Sequence, residues 1–114
     1  MKYFVWSSVQ IERFRGQRFA WIYMKALPPR KDCFDTAAEI AVAIRALPEC
    51  GAAVSTGDDL DIQFRFGETE FRFAFDEIHG MVIECDADNC SRVQEVLKPL
   101  CGGEANGLGD GYGR

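Results

Sequence analysis

Between Leu60 and Asp76 the chain alternates with a period of two. Leu60, Ile62, Phe64 and Phe66 are interleaved with Asp61, Gln63 and Arg65. After Gly67-Glu68-Thr69-Glu70, residues Phe71, Phe73 and Phe75 are interleaved with Arg72, Ala74 and Asp76. Successive side chains of a strand point to opposite faces, so this pattern predicts an antiparallel hairpin with one phenylalanine face and one polar face. Burying each phenylalanine is worth roughly 1.5–3 kcal/mol before ordering entropy is counted. Something must therefore cover Phe64, Phe66, Phe71, Phe73 and Phe75, and that need constrains the rest of the fold.

The flanking segments extend the hairpin and supply the cover. Ala52 to Ser55 reads as a short strand turned by Thr56-Gly57-Asp58. Met81 to Cys85 reads as another, reached through Glu77-Ile78-His79-Gly80, which completes a four-stranded meander. Thr36 and Glu39 form a capping box with Asp35 beside it, and Ala37, Ile40, Ala41, Ile44 and Leu47 recur at helical spacing. Pro48-Glu49-Cys50-Gly51 ends that helix. A second helix spans about 89–100. Asp86, Asp88 and Asn89 stand at its start, and Cys90, Val93, Val96, Leu97 and Leu100 form its apolar stripe.

The N-terminal segment reads as a long hairpin. Phe19, Trp21 and Tyr23 alternate with Ala20, Ile22 and Met24, and Tyr3, Val5, Val9 and Ile11 fall on the opposite parity from Phe4 and Trp6. Arg15-Gly16 provides the turn. A competing reading starts a helical turn at Ser7 or Ser8, with Gln10 or Glu12 closing a capping box. Pro28-Pro29 stops the second strand.

These elements make an α+β fold: an antiparallel sheet of five or six strands packed by two helices, in a single layer on one face. The length of 114 residues allows one domain, placed at 1–101. Residues 102–114 hold six glycines and no apolar period, and read as a Gly-rich flexible tail. No apolar run reaches the length of a membrane span and the N-terminus is a poor secretory signal, so a soluble, cytoplasmic protein is expected.

Charge is uneven. The first 31 residues hold Lys2, Arg13, Arg15, Arg18, Lys25, Arg30 and Lys31 against Glu12 alone, while the whole chain is −5. A basic patch can serve nucleic acid, but the acidic remainder argues against nonspecific phosphate binding. Arg18-Phe19-Ala20-Trp21-Ile22-Tyr23 has some of the character of an RNA-recognition strand, without its glycine or its βαββαβ order.

The chemical motifs are weak. Cys33, Cys50, Cys85, Cys90 and Cys101 match no zinc spacing and are expected as reduced thiols, so no metal and no cofactor is assigned. The glycine run at 107–113 has no helix after it to face a phosphate. The carboxylates at 58–61 and 84–88 suit a turn and a helix start rather than a calcium loop. His79 is the one imidazole, hence the candidate general base, and Cys85 is read as core filler.

The helices can shelter one face only, which leaves Phe4, Trp6 and one side of the Phe19–Met24 strand uncovered. Exposed aromatic patches mark interfaces or ligand grooves. The expectation is a homodimer through the N-terminal hairpin, with Trp6, Arg18, Phe19, Trp21 and Tyr23 at an interface or lining a site for a small apolar ligand or a partner protein. Neutralising a basic toxin would also suit an acidic protein of this size, though no residue pattern supports it. The enzymatic alternative is a dimer-interface cleft using His79 or a carboxylate as base. As a short single-domain chain without a motif, the sequence resembles in type the orphan proteins of bacterial integron gene cassettes. That resemblance implies an oligomer and transfers no site and no activity.

Overall fold

A computed structural model describes residues 2–27, 33–50, 55–58 and 60–104. The strands are β1 (Phe4–Phe14), β2 (Gln17–Ala26), β3 (Ser55–Asp58), β4 (Asp61–Phe66), β5 (Thr69–Asp76), β6 (Gly80–Asp86) and β7 (Cys101–Glu104). The helices are α1 (Cys33–Arg45) and α2 (Cys90–Leu97). The strands form one sheet in the order β3-β4-β5-β6-β2-β1-β7. Every pairing is antiparallel except β1 with β7, which is parallel. The fold is α+β, as the hairpin pattern requires.

Side chains line up in rows across the sheet. On one face Ile11, Ala20, Cys85, Phe71 and Phe64 follow each other from strand to strand, and Val9, Ile22, Ile83, Phe73 and Ile62 form the next row. Both helices pack here. Ala37, Ile40, Ala41 and Ile44 of α1 and Cys90, Val93 and Leu97 of α2 join those rows in one buried cluster. Phe64 stacks on Phe71 with ring centroids 5.3 Å apart, and Phe34 of α1 meets Phe75 edge-on at 5.1 Å.

The N-terminal ribbon departs from its simple parity. Trp6 pairs with Met24 and Ser8 pairs with Tyr23, so Ser7 is an extra residue in β1. Such a β-bulge restarts the alternation one residue late. Phe4 and Trp6 therefore share the covered face with Val9 and Ile11, and both are buried. This corrects the expectation that Phe4 and Trp6 stay uncovered, and no helical turn forms at Ser7 or Ser8. Arg15 and Gly16 both have positive φ, 52° and 81°, the two-residue turn that matches strand twist.

Other boundaries move by local reasons. Helix α1 opens at Cys33, so Thr36 sits inside it and is buried rather than capping it. The strand expected at 52–55 falls mostly outside the described residues, and β3 instead occupies Ser55–Asp58, pairing Asp58 with Asp61. The second helix is flanked by short 3-10 turns at Ala87–Asn89 and Lys98–Leu100, the latter holding Pro99. Cys101–Glu104 pairs with β1, where the sequence places the start of a glycine-rich tail. A Cβ at Gly102 would overlap the end of the Leu27 side chain, which would have to move aside.

Candidate functional site

The sheet's second face has no helix over it among the described residues. Its rows run Glu12-Phe19-Asp86, Gln10-Trp21-Glu84-Arg72-Gln63 and Ser8-Tyr23-Val82-Ala74-Asp61. Phe19, Trp21 and Tyr23 are half-buried by neighbours in the sheet, and Val82 beside Tyr23 is buried. Phe14, opposite Gln17, continues the same stripe and is 62% exposed. Four aromatic rings thus lie along the open side of one hairpin.

That hairpin outreaches the sheet. Its neighbour β6 pairs with β2 only from Phe19 to Met24, while residues 10–18 are exposed throughout. Arg13 stands directly opposite Arg18, with Arg15 at the turn over the Phe14 ring at 5.2 Å. Like charges opposite each other disfavour a strand pair unless an anion joins them. None of the three arginines has an ion pair among the described residues. The arm is therefore basic and apolar, with Arg13, Arg18 and Ile11, which is 47% exposed, on the side away from the aromatic stripe.

The open face beyond β2 is acidic by contrast. Glu68, Glu70, Glu84 and Asp86 surround Arg72 in a shallow depression that also touches Phe19. Arg72 is already engaged. Its Nε and Nη2 donate to Asp61 Oδ1 and Oδ2 at 2.6 and 2.7 Å, and Glu84 lies 3.8 Å from Nη1. The guanidinium bonds hold the Asp61 carboxyl below its ordinary range, and Asp61 raises Arg72 in turn. Arg65 is likewise paired with Glu70.

The remaining sequence candidates separate. Trp6 is 4% exposed and packs edge-on against Phe4, on the opposite side of the sheet from Trp21 and Tyr23. A single pocket of Trp6, Trp21 and Tyr23 is not formed, because the Ser7 bulge turns Trp6 inward. Arg18 is at the arm, two residues from the hairpin turn. His79 sits on the β5–β6 turn with its side chain 62% exposed. Its Nδ1 faces Asp76 Oδ2 at 3.2 Å, and Asp76 Oδ1 accepts the Ile78 and His79 backbone N–H groups. Those bonds, the His79 N–H first, hold the Asp76 carboxyl low. Cys85 lies at the far end of β6, so no Cys/His pair forms.

The thiols have a geometry of their own. Cys50, Cys85, Cys90 and Cys101 are free and buried. Burial, with Glu49 adding to it, pushes the Cys50 thiol up to about 11. Cys85 donates to Cys90, which raises Cys85 and lowers Cys90. Cys90 Sγ–H in turn donates to Gln94 Oε1 at 3.7 Å.

Gln94 was not singled out by the sequence reading, although a polar residue inside the stripe Cys90, Val93, Leu97 was the available signal. It is 7% exposed, and its Nε2 has no hydrogen-bond partner. A buried unpaired amide donor costs about 1–3 kcal/mol, and such groups in native proteins call for a reason. Gln94 lines an open groove of about 620 Å³ between α2 and β7, with Lys2, Trp6, Ser91, Glu95, Lys98, Cys101, Gly102 and Gly103. A second groove, of about 660 Å³, runs beside α1 past Lys2, Tyr3, Leu27 and Val42.

Among the described residues no group of three or more metal-ligating side chains converges, and no helix is long and apolar enough to cross a membrane. No family model, no curated protein and no solved structure matches the chain.

Proposed function

We propose that the protein is a non-catalytic binding protein that works as a homodimer joined through the open face of its N-terminal hairpin. One observation carries this reading: the Phe14, Phe19, Trp21 and Tyr23 stripe lies on the sheet face that neither helix covers. Aromatic rings are the side chains that gain most from burial at an interface. The second copy is the favoured occupant because the chain carries both halves of a charge match. The Arg13, Arg15 and Arg18 arm has Glu12 as its one anion, and the Glu68, Glu70, Glu84 and Asp86 depression has an excess of them. In a two-fold dimer each arm meets the other copy's depression, so the same contact is made twice.

The enzymatic alternative, with His79 or a carboxylate as base, is the less favoured reading, because His79 stands on an exposed turn with Asp76 its one partner among the described residues. A mobile-cassette origin belongs to the same proposal as the type-level resemblance that suggested it. Recombination sites flanking the gene would support it.

Sedimentation velocity tests the dimer. The wild-type chain should be dimeric at roughly 10–100 µM in low salt and should weaken as salt rises. Phe14→Asp, at an exposed site, and Arg15→Glu, at the turn over the Phe14 ring, should each give a folded monomer. A wild-type monomer across that range, or a dimer indifferent to both variants, overturns the reading.

A further inference from the structure

We propose that the outer edge of β1, from Ser8 to Phe14, takes up an acidic, extended segment of a partner polypeptide as an added strand. This rests on the binding-protein reading and gives it a partner. It does not require the dimer, since Val9, Ile11 and Arg13 lie on the side of the arm away from the aromatic stripe. Strand β1 runs from Phe4 to Phe14, yet β7 pairs with it only at Phe4 and Trp6. Beyond the Ser7 bulge its outer side has no strand partner among the described residues, while β2 holds its inner side out to the turn. Residues 10–14 are exposed throughout.

The turn decides which groups that edge offers. Arg15 and Gly16 both have positive φ, so Phe14 to Gln17 is a tight β-turn in which the Phe14 carbonyl accepts the Gln17 N–H. Bonded pairs alternate along an antiparallel ladder, so Glu12 and Gln10 also turn their backbone groups inward, toward Phe19 and Trp21. The N–H and C=O groups of Val9, Ile11 and Arg13 then project outward, spaced to receive a further strand.

The side chains of the same three residues select the occupant. Val9 is half-buried and Ile11 is 47% exposed, so both gain from an apolar neighbour. Arg13 has Arg18 beside it on β2, and neither has an ion pair among the described residues. Their repulsion drives Arg13 toward the free edge, where a carboxylate on the incoming strand stands opposite it and relieves the strain of the like charges. The fitting segment therefore carries an acid opposite Arg13 and apolar residues opposite Ile11 and Val9. In strand addition the backbone bonds supply affinity and alternate side chains supply selectivity. A nucleic acid would use the arginines but neither the outward backbone groups nor Val9 and Ile11, and the net charge of −5 opposes a polyanion.

The test titrates the intact protein with the end-blocked peptide Asp-Glu-Thr-Val-Thr-Val-Thr. Antiparallel addition sets its Glu opposite Arg13 and its two Val opposite Ile11 and Val9. Lys-Lys-Thr-Val-Thr-Val-Thr is the charge-reversed control. Affinity is read by fluorescence anisotropy and position by amide hydrogen exchange in NMR. The acidic peptide should bind with a Kd of roughly 0.1 mM, and the basic one at least about tenfold more weakly. Binding should slow exchange at Val9, Ile11 and Arg13 and leave Gln10 and Glu12 unchanged. Arg13→Glu should weaken the acidic peptide about tenfold or more and reverse the preference between the two. Ile11→Pro removes one outward amide and should abolish binding of both peptides with the fold intact, because an edge tolerates proline where the N–H faced solvent. An Ile11→Pro chain that unfolds, equal affinity for the two peptides, protection confined to β3 or β7, or tighter binding of an oligouridylate would each overturn the proposal. So would protection of the same amides by rising protein concentration alone, which would make a second copy the occupant. Because sedimentation reads the dimer separately, no binding at millimolar peptide with an intact dimer sinks the added strand and spares the assembly, and a peptide-binding monomer does the reverse.

Discussion

Gln94→Met should make the protein more stable. The wild-type side chain holds an amide donor in the interior with nothing to bond to, at a desolvation cost of about 1–3 kcal/mol. Methionine is similar in length, fills the same space and carries no such donor. The loss is the Cys90 thiol's bond to Oε1, which at 3.7 Å to sulfur is worth about 0.5 kcal/mol or less. The net expectation is a gain of about 1 kcal/mol. For a domain with about 100 ordered residues, unfolding entropy near the midpoint is about 0.2 kcal/mol/K, so Tm should rise by about 5 °C. The assay is thermal unfolding followed by circular dichroism, at one fixed protein concentration because dimerisation shifts Tm by mass action. A Tm that stays level or falls refutes the reasoning, because it means Nε2 is satisfied in solution and nothing is gained by deleting it.

Other consequences follow from the same packing. Phe64→Ala, at a fully buried ring stacked on Phe71, should cost about 3–5 kcal/mol in urea unfolding, and a loss under about 1 kcal/mol would deny Phe64 its core position. Deleting Ser7 removes the bulge and should drive Phe4 and Trp6 to the open face, seen as loss of cooperative unfolding and a solvent-exposed tryptophan spectrum; a native-like transition would mean that the bulge does not set parity. Asp61 has a lowered folded-state pKa through Arg72, so its contribution is present above about pH 5 and fades as pH falls through that lowered value. Asp61→Asn should therefore lower Tm slightly at pH 7 and not at all near pH 2, modestly because the pair is partly exposed; a deficit that persists at pH 2 would point away from the ion pair. A disulfide reagent at pH 8, with labelled sites mapped by mass spectrometry, should leave Cys50, Cys85, Cys90 and Cys101 unmodified until the protein unfolds; fast labelling of any of them would contradict its burial.

The central hairpin was legible because the alternation is unbroken within each strand, from Ile62 to Phe66 and from Phe71 to Phe75, with a glycine turn between them. The helices were legible from their stripes, though α1 begins at Cys33, before its capping box, since tertiary packing of Thr36 overrides the local signal. The aromatic stripe on Phe19, Trp21 and Tyr23 was read correctly from β2 alone. Its supposed partner Trp6 was misplaced, because one inserted residue inverts the parity of everything before it and leaves no mark in composition. Strand β7 was hidden for a different reason. Cys101-Gly102-Gly103-Glu104 has no strand propensity, and its order comes from pairing with a segment nearly a hundred residues away. Gln94 was hidden because a glutamine on a helix is ordinary until its neighbours are shown to be buried.

The parallel pairing of β1 with β7 also bears on how the polypeptide reaches this state. Strand β1 is flanked by β2 on one side, and its other edge waits for β7, which is made nearly a hundred residues later. Until residue 104 has emerged, a nascent molecule presents a bare row of amides and carbonyls beside Phe4 and Trp6, the kind of edge that recruits a foreign strand. Shortening the chain before Cys101 should therefore be felt first as clumping during synthesis, and only secondarily as a lower melting point of whatever fraction survives.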